Sequence, residues 1–353
     1  MRANMLFRLL NGAIGRDGKM RRFLIPCCIA ALCACLLAGC ASETGSTAGS
    51  GSQSASLLSS EQTGSTVSSG AAVSDKVSSS QSKSGNSSES ATSAVGSGKS
   101  VPTALKKRVR SVLQQAPLQA SFCYVDLDSG AQYSVAGGKQ MVSASSIKLL
   151  ILAAFLDQVN AGRLSMDDTY TLKAADLVGG TGSLQNRTAG STVTLREAAR
   201  LMITESDNVA ANILIDTMGT SAINKEASKL GLAGTQLNRR MMQSNGAQNY
   251  MTAADAALIL KDIYRGKLAS RELSAFALKC LEEQTDDQGF LAGLPQGTSF
   301  AHKTGNLSSP DVRNDAGIVE GDHPYILVAF TEGSSDSALQ VMKSLAQAVE
   351  ETR

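Results

Sequence analysis

The chain has 353 residues and a formal net charge of +2, so charge alone gives it no attraction to nucleic acid or to an anionic membrane surface. Its only two histidines, His302 and His323, argue against a histidine-rich metal centre and weigh against a Ser-His-Asp hydrolase. Five of the seven cysteines (Cys27, Cys28, Cys33, Cys35 and Cys40) crowd into one N-terminal apolar run. Cys123 and Cys280 remain in the body with no C-x-x-C pair, which argues against a zinc or thioredoxin-type site. They form either one disulfide or two buried thiols.

In chain order, Arg16, Lys19, Arg21 and Arg22 precede the run LIPCCIAALCACLLAG. About 16 apolar residues is short for a spanning helix and suits the apolar region of a secretory leader. The run ends in Leu37-Ala38-Gly39-Cys40, which resembles a bacterial lipobox. The expectation is cleavage before Cys40, a lipid on its sulfur, and a body outside the cytoplasm, tied to the cell membrane. An uncleaved anchor helix is the alternative. Residues 41–100 are dominated by Ser, Gly, Thr and Ala, too little apolar surface to fold, and read as a disordered tether. Such a chain of about 60 residues reaches roughly 40–45 Å root-mean-square.

Residues 101–353 have the length of one large domain. ALKKRVRSVLQQ predicts a helix over Ala104–Gln115. SFCYVDLDSG and AQYSVA predict a hairpin with Gly130 at its turn. SSIKLLILAAFLDQV is apolar nearly all round, as in a helix buried on every side. TLREAARLMI opens with Thr194 and has Glu197 three residues on, a capping-box pattern. SDNVAANILIDTMG, AINKEASKLGL, TAADAALILKDIYRG and SRELSAFALKCLEEQ extend the helical series. TSFAHKTG, VRNDAGIVEG and PYILVAFTEG then read as three strands, and DSALQVMKSLAQAVEE as a closing helix. Strands at both ends with helices between predict an α/β (α+β) fold. One antiparallel sheet is built from both chain ends, with the first and last helices on one face and an all-helical lobe on the other. A cleft between lobe and sheet is where a small molecule binds.

Three short motifs carry the chemistry. Ser145 and Lys148 stand three residues apart at the mouth of the buried helix, so they share a face. A desolvated lysine has a lowered pKa and can take the serine proton without any histidine. Ser206-Asp207-Asn208 opens a helix. There a serine can pass a proton to a leaving nitrogen, an asparagine amide can donate to a substrate carbonyl, and the aspartate holds the loop. Lys303-Thr304-Gly305 lies on a late strand, where an ammonium and a hydroxyl suit a substrate carboxylate and the glycine allows close approach. Singly, each has a plain structural reading: a capped helix with a snorkelling lysine, a helix N-cap, a surface strand.

Together, in this order and about 60 and then 97 residues apart, they form a triple. It resembles the S-x-x-K, S-D-N and K-T-G set of class A β-lactamases and penicillin-binding proteins. SDNVAANILIDTMG, VRNDAGIV and the element order extend the resemblance over nearly the whole body. It implies a β-lactamase/transpeptidase-like sandwich with a helical lobe, no cofactor or metal, and a monomer. The implied substrate is a β-lactam or an acyl-D-Ala-D-Ala peptide, attacked by Ser145. Lys148 is then the base, Ser206 the proton relay, and the backbone amides of Ser145 and Asn306 the oxyanion hole. Asn208, Lys303, Thr304, Gly305 and Arg313 complete the substrate contacts. A class A enzyme also carries a glutamate on the loop that aligns the deacylating water. Here that loop, LNRRMMQSNGAQNYM from Leu237 to Met251, has no acid. Its nearest acids, Glu226 and Asp255, fall within the flanking helices. Asn238, Gln243, Asn245, Gln248 and Asn249 can hold a water but cannot take its proton. The expectation is β-lactam hydrolysis through a slowly cleared acyl-enzyme. A D-Ala-D-Ala carboxypeptidase and a non-catalytic tethered binding protein are the alternatives.

Overall fold

Helix α1 (Thr103–Gln115) leads into β1 (Gln119–Asp126), β2 (Gln132–Val135) and a short β3 (Met141–Val142) in the computed structural model, which describes residues 100–353. The leader with Cys40, and the tether but for Ser100, lie outside the described residues. A 3-10 turn (Ala144–Ile147) runs straight into α2 (Lys148–Asn160). A small ribbon of β4 (Thr169–Thr171) and β5 (Thr192–Thr194) precedes α3 (Leu195–Thr204), α4 (Asn208–Met218) and α5 (Thr220–Lys229). Then come β6 (Tyr250–Met251), α6 (Ala253–Tyr264) and α7 (Arg271–Glu282). The chain closes with β7 (Phe300–Ser308), β8 (Asp311–Val319), β9 (Tyr325–Glu332) and α8 (Ser335–Glu350).

Five strands form one antiparallel sheet in the order β2-β1-β9-β8-β7, so both chain ends build it, as expected. The two-residue period of the strands sorts their side chains between two cores. Phe122, Tyr124, Leu327 and Ala329 face a layer that includes Leu105 and Val109 of α1 and Met342, Leu345 and Val349 of α8. Cys123, Val125, Ile326, Val328 and Phe330 face the helical lobe. With both faces covered, β1 and β9 read as nearly continuous apolar runs.

Helix α2 is the axis of the lobe, and Lys148 through Leu156 are all buried. Its all-round apolarity therefore has the physical cause inferred from its sequence. Helix starts follow local hydrogen-bonding rules: Thr194 accepts from the N–H of Glu197 at 3.1 Å, and Asp207 from that of Ala210 at 2.9 Å. Cys123 and Cys280 are both free and buried, which resolves the two readings of that pair. Burial pushes each thiol up to about 12, so neither is a nucleophile at neutral pH. Short-range reading missed the ribbons β3–β6 and β4–β5, which are only two and three residues per strand.

Candidate active site

Ser145 lies on the 3-10 turn, not on the α-helix proper. Side chains at i and i+3 eclipse in that geometry, which stacks Ser145 directly against Lys148. The turn is fixed from three sides. Asn314 of β8 donates to the carbonyls of Val142 and Ser143 at 2.9 and 3.0 Å. The Ser143 hydroxyl donates to the Asn249 carbonyl at 2.9 Å. Gly305 of β7 lies so close that a Cβ there would sit 2.7 Å from Ser146 Oγ and 2.8 Å from the Ser143 carbonyl. Gly305 was expected to admit a ligand, but the close approach it permits is to the backbone of the nucleophile's own turn. Ala144 and Ser206, beside or within the reactive motifs, both hold positive φ (46° and 54°), the kind of backbone strain that collects at functional sites.

Lys148 Nζ lies within hydrogen-bond distance of four uncharged oxygens: Ser145 Oγ at 3.1 Å, Ser206 Oγ at 3.2 Å, the Ser206 carbonyl at 2.6 Å and Asn208 Oδ1 at 2.9 Å. The lysine is fully buried. Burial first, and then the charge of Lys303, hold its pKa well below the ordinary lysine value, while Asp207 pulls the other way. Asp207 itself points inward and accepts from the N–H groups of Leu184 and Ala210 at 2.8 and 2.9 Å. It holds the loop, as expected, and keeps Ser206 over the lysine. Its own pKa is raised, chiefly by burial.

From the opposite wall, Lys303 Nζ donates to Ser206 Oγ at 3.1 Å and to the Thr304 carbonyl at 2.8 Å. Ser206 Oγ therefore stands between two lysine nitrogens that come from separate elements. Burial lowers Lys303 to about 8, opposed by Asp286 and Asp315. Asn306 and Arg313 are cross-strand partners on β7 and β8. The Arg313 guanidinium reaches Gln288 Oε1 at 2.8 Å. Ser145, Ser206, Asn208, Thr304, Asn306 and Arg313 share a cavity of ≈ 540 Å³ between lobe and sheet. The structure thus gathers the sequence-selected residues of the body around one cleft: the fully buried Lys148 and Lys303 reach the Ser206 hydroxyl that lines it, and Gly305 packs behind the turn that carries Ser145. Among the described residues, no three His, Cys, Asp or Glu side chains gather where they could hold a metal ion.

Several residues at this cleft escaped the sequence reading. Asn212, one helical turn beyond Asn208, is buried and accepts from the Met241 N–H at 2.8 Å while donating to the Met241 carbonyl at 3.2 Å. This pair of hydrogen bonds clamps Met241 against the cleft. A polar residue in the apolar run VAANILI was the available signal. The loop amides differ from expectation. Asn249 Oδ1 accepts from the N–H groups of Asn238 and Arg239, and Asn238 Nδ2 donates to the Gln248 carbonyl. Asn238 and Asn249 therefore brace the loop and do not present a water site. Asp286, in the polar phrase TDDQG, also lines the cavity; such a phrase reads as a solvated loop.

The model of the Beta-lactamase enzyme family matches residues 104–352, and the chain belongs to that family. It is 28% identical over 235 residues to β-lactamase L2 of Stenotrophomonas maltophilia, covering 63% of this chain and 76% of that protein. Among solved structures it is similar to PBP-A, with 28% identity and a TM-score of 0.66 over 72% of this chain and 100% of that one. It is also similar to a mutant of PBP-A in an acyl-enzyme complex with penicillin G, at 29% identity and a TM-score of 0.64 over 70% and 96%.

Proposed function

We propose that this protein is a serine hydrolase that opens β-lactam rings through a Ser145 acyl-enzyme and clears that intermediate slowly. The observation that carries this reading is Lys148: a fully buried amine whose polar neighbours within hydrogen-bond distance are all uncharged, in reach of both Ser145 Oγ and Ser206 Oγ. Desolvation favours the neutral form of such an amine, the form that can accept a proton. Ser145 loses its proton to Lys148 as Oγ bonds to the lactam carbonyl carbon. The C–N bond then breaks, and the proton travels from Lys148 through Ser206 to the departing nitrogen. The N–H groups of Ser145 and Asn306 stabilise the oxyanion. Asn208 has its oxygen held by Lys148 at 2.9 Å and donates one carboxamide N–H to the Gly179 carbonyl at 3.3 Å, so its second N–H is the one offered to a substrate carbonyl. Lys303, Thr304 and Arg313 address the opposite end of the substrate.

The test is intact-protein mass spectrometry of the soluble body after addition of a penicillin. An adduct on Ser145 that persists for minutes is expected, and Ser145→Ala should abolish both adduct and turnover. No adduct with any of several β-lactams would overturn the reading. A D-Ala-D-Ala carboxypeptidase is the second reading, favoured by the apolar Met241 where the cleft meets an acid-free loop. Release of D-alanine from an acyl-D-Ala-D-Ala peptide would favour it. The basic leader and Leu37-Ala38-Gly39-Cys40 support lipid attachment outside the cytoplasm. Cys40→Ala should move the protein from the membrane to the soluble fraction, and an unchanged distribution would refute the lipid anchor.

A further inference from the structure

The end of the cleft that would receive a substrate carboxylate already contains one. Asp286 Oδ2 accepts from Thr304 Oγ1 at 2.9 Å and from Asn306 Nδ2 at 3.1 Å. Its Oδ1 accepts from the Gln288 N–H at 3.2 Å. The segment bearing Asp286 is pinned at both ends. The Thr285 N–H and hydroxyl both reach the Thr204 carbonyl at 2.9 Å, and the Phe290 N–H reaches Asp315 Oδ2 at 3.0 Å. Gly289 holds φ +95°, and a Cβ there would sit 2.5 Å from the same Asp315 oxygen, which locks the turn onto β8. Burial would raise the Asp286 carboxyl. The hydrogen bonds from Thr304, Gln288 and Asn306, with the charge of Lys303, outweigh that and hold it below its ordinary value. It is therefore ionised at neutral pH.

We infer that Asp286 is the specificity-determining residue of this subsite, selecting substrates whose group facing Thr304 and Asn306 is uncharged and donates a hydrogen bond, as a carboxamide does. A second carboxylate would meet a like charge and find both donors engaged. A carboxamide can give its N–H to Asp286 and turn its carbonyl towards the ammonium of Lys303. The inference deepens the acyl-enzyme reading and rests on it for the identity of the substrate.

The experiment compares a penicillin with its carboxamide in wild type and in Asp286→Asn, which keeps the side-chain shape and loses the charge. The second-order rate of Ser145 acylation is read by mass spectrometry. The same acid-to-amide ratio is measured as dissociation constants for N-acetyl-D-alanine and its amide by titration calorimetry, which needs no acylation. Asp286→Asn is expected to move both ratios towards the acid by about tenfold or more, the scale of one nearby charge in a partly buried site. A ratio that moves less than about twofold, or towards the amide, overturns the inference; a loop that simply swings aside for any substrate gives that result. Failure of both probes to bind either protein overturns it as well. Failure of both penicillin derivatives to label Ser145 counts against the hydrolase reading alone, because the calorimetric ratio still decides the role of Asp286.

Discussion

Lys148→Met is expected to slow Ser145 acylation about a thousandfold or more, the scale of a positioned general base together with its contribution to nucleophile alignment. The cause is loss of a proton acceptor, because burial and then the charge of Lys303 hold the amine well below the ordinary lysine value and so favour its neutral form. Lys148→Arg should be as inactive, since a guanidinium retains a cation and its hydrogen bonds but cannot be deprotonated in a protein. The pH profile separates a base from a positioning group. In wild type the acylation rate rises as pH climbs through the depressed pKa of Lys148, and in Lys148→Met that acid limb should vanish. Stopped-flow acylation against pH measures both. A Lys148→Arg variant with near-normal acylation would refute the base assignment. The same burial has a linked effect on stability. Between the depressed pKa and the ordinary value of 10.5, the unfolded chain binds a proton that the folded state does not. The buried amine therefore costs stability at neutral pH, and the cost fades as pH rises towards 10.5.

Met241→Glu is expected to shorten the lifetime of the acyl-enzyme by about a hundredfold to ten-thousandfold, with little change in acylation. Met241 is the loop residue that Asn212 clamps by both its N–H and its carbonyl, and it lines the same cavity as Ser145. A carboxylate introduced there would be held by backbone contacts that already exist. It would supply the proton acceptor that Leu237 to Met251 lacks. Met241→Gln is the matched control, being similar in size and polar but unable to accept a proton at neutral pH. The decay of the Ser145 adduct, followed by mass spectrometry, decides. Equal decay in the Glu and Gln variants would mean that the attacking water approaches elsewhere. Placing a polar group at this largely buried position carries some loss of stability, so melting temperatures of both variants should be compared first.

The architecture was legible because it rests on short-range patterns. The apolar runs of β1 and β9, the all-round apolarity of α2 and the capping threonine at Thr194 are each visible within a window of a dozen residues. Family resemblance through the three motifs also needs only their order and spacing. The missed elements are those without a local period: ribbons of two or three residues, and the 3-10 turn that continues directly into α2. Asn249 and Asn238 illustrate a different limit. Their residue type allows a water site, and only the folded loop shows that backbone groups occupy them.

By itself, the sequence determined that Lys148 enters a buried helix one turn after a serine, that the three motifs occur in order, and that the loop from Leu237 to Met251 has no acid. These depend on residue identity and on the helical period alone. Only the tertiary structure decided that Lys148 and Lys303 meet at one hydroxyl, that Asn212 holds Met241 in the cleft, and that Asp286 occupies the donors of Thr304 and Asn306. Only it decided, too, that Cys123 and Cys280 stay apart as thiols. Each of these is a matter of which side chains of separate elements meet. Such meetings are set by strand register and by how helices seat on a sheet, which no periodicity along the chain encodes.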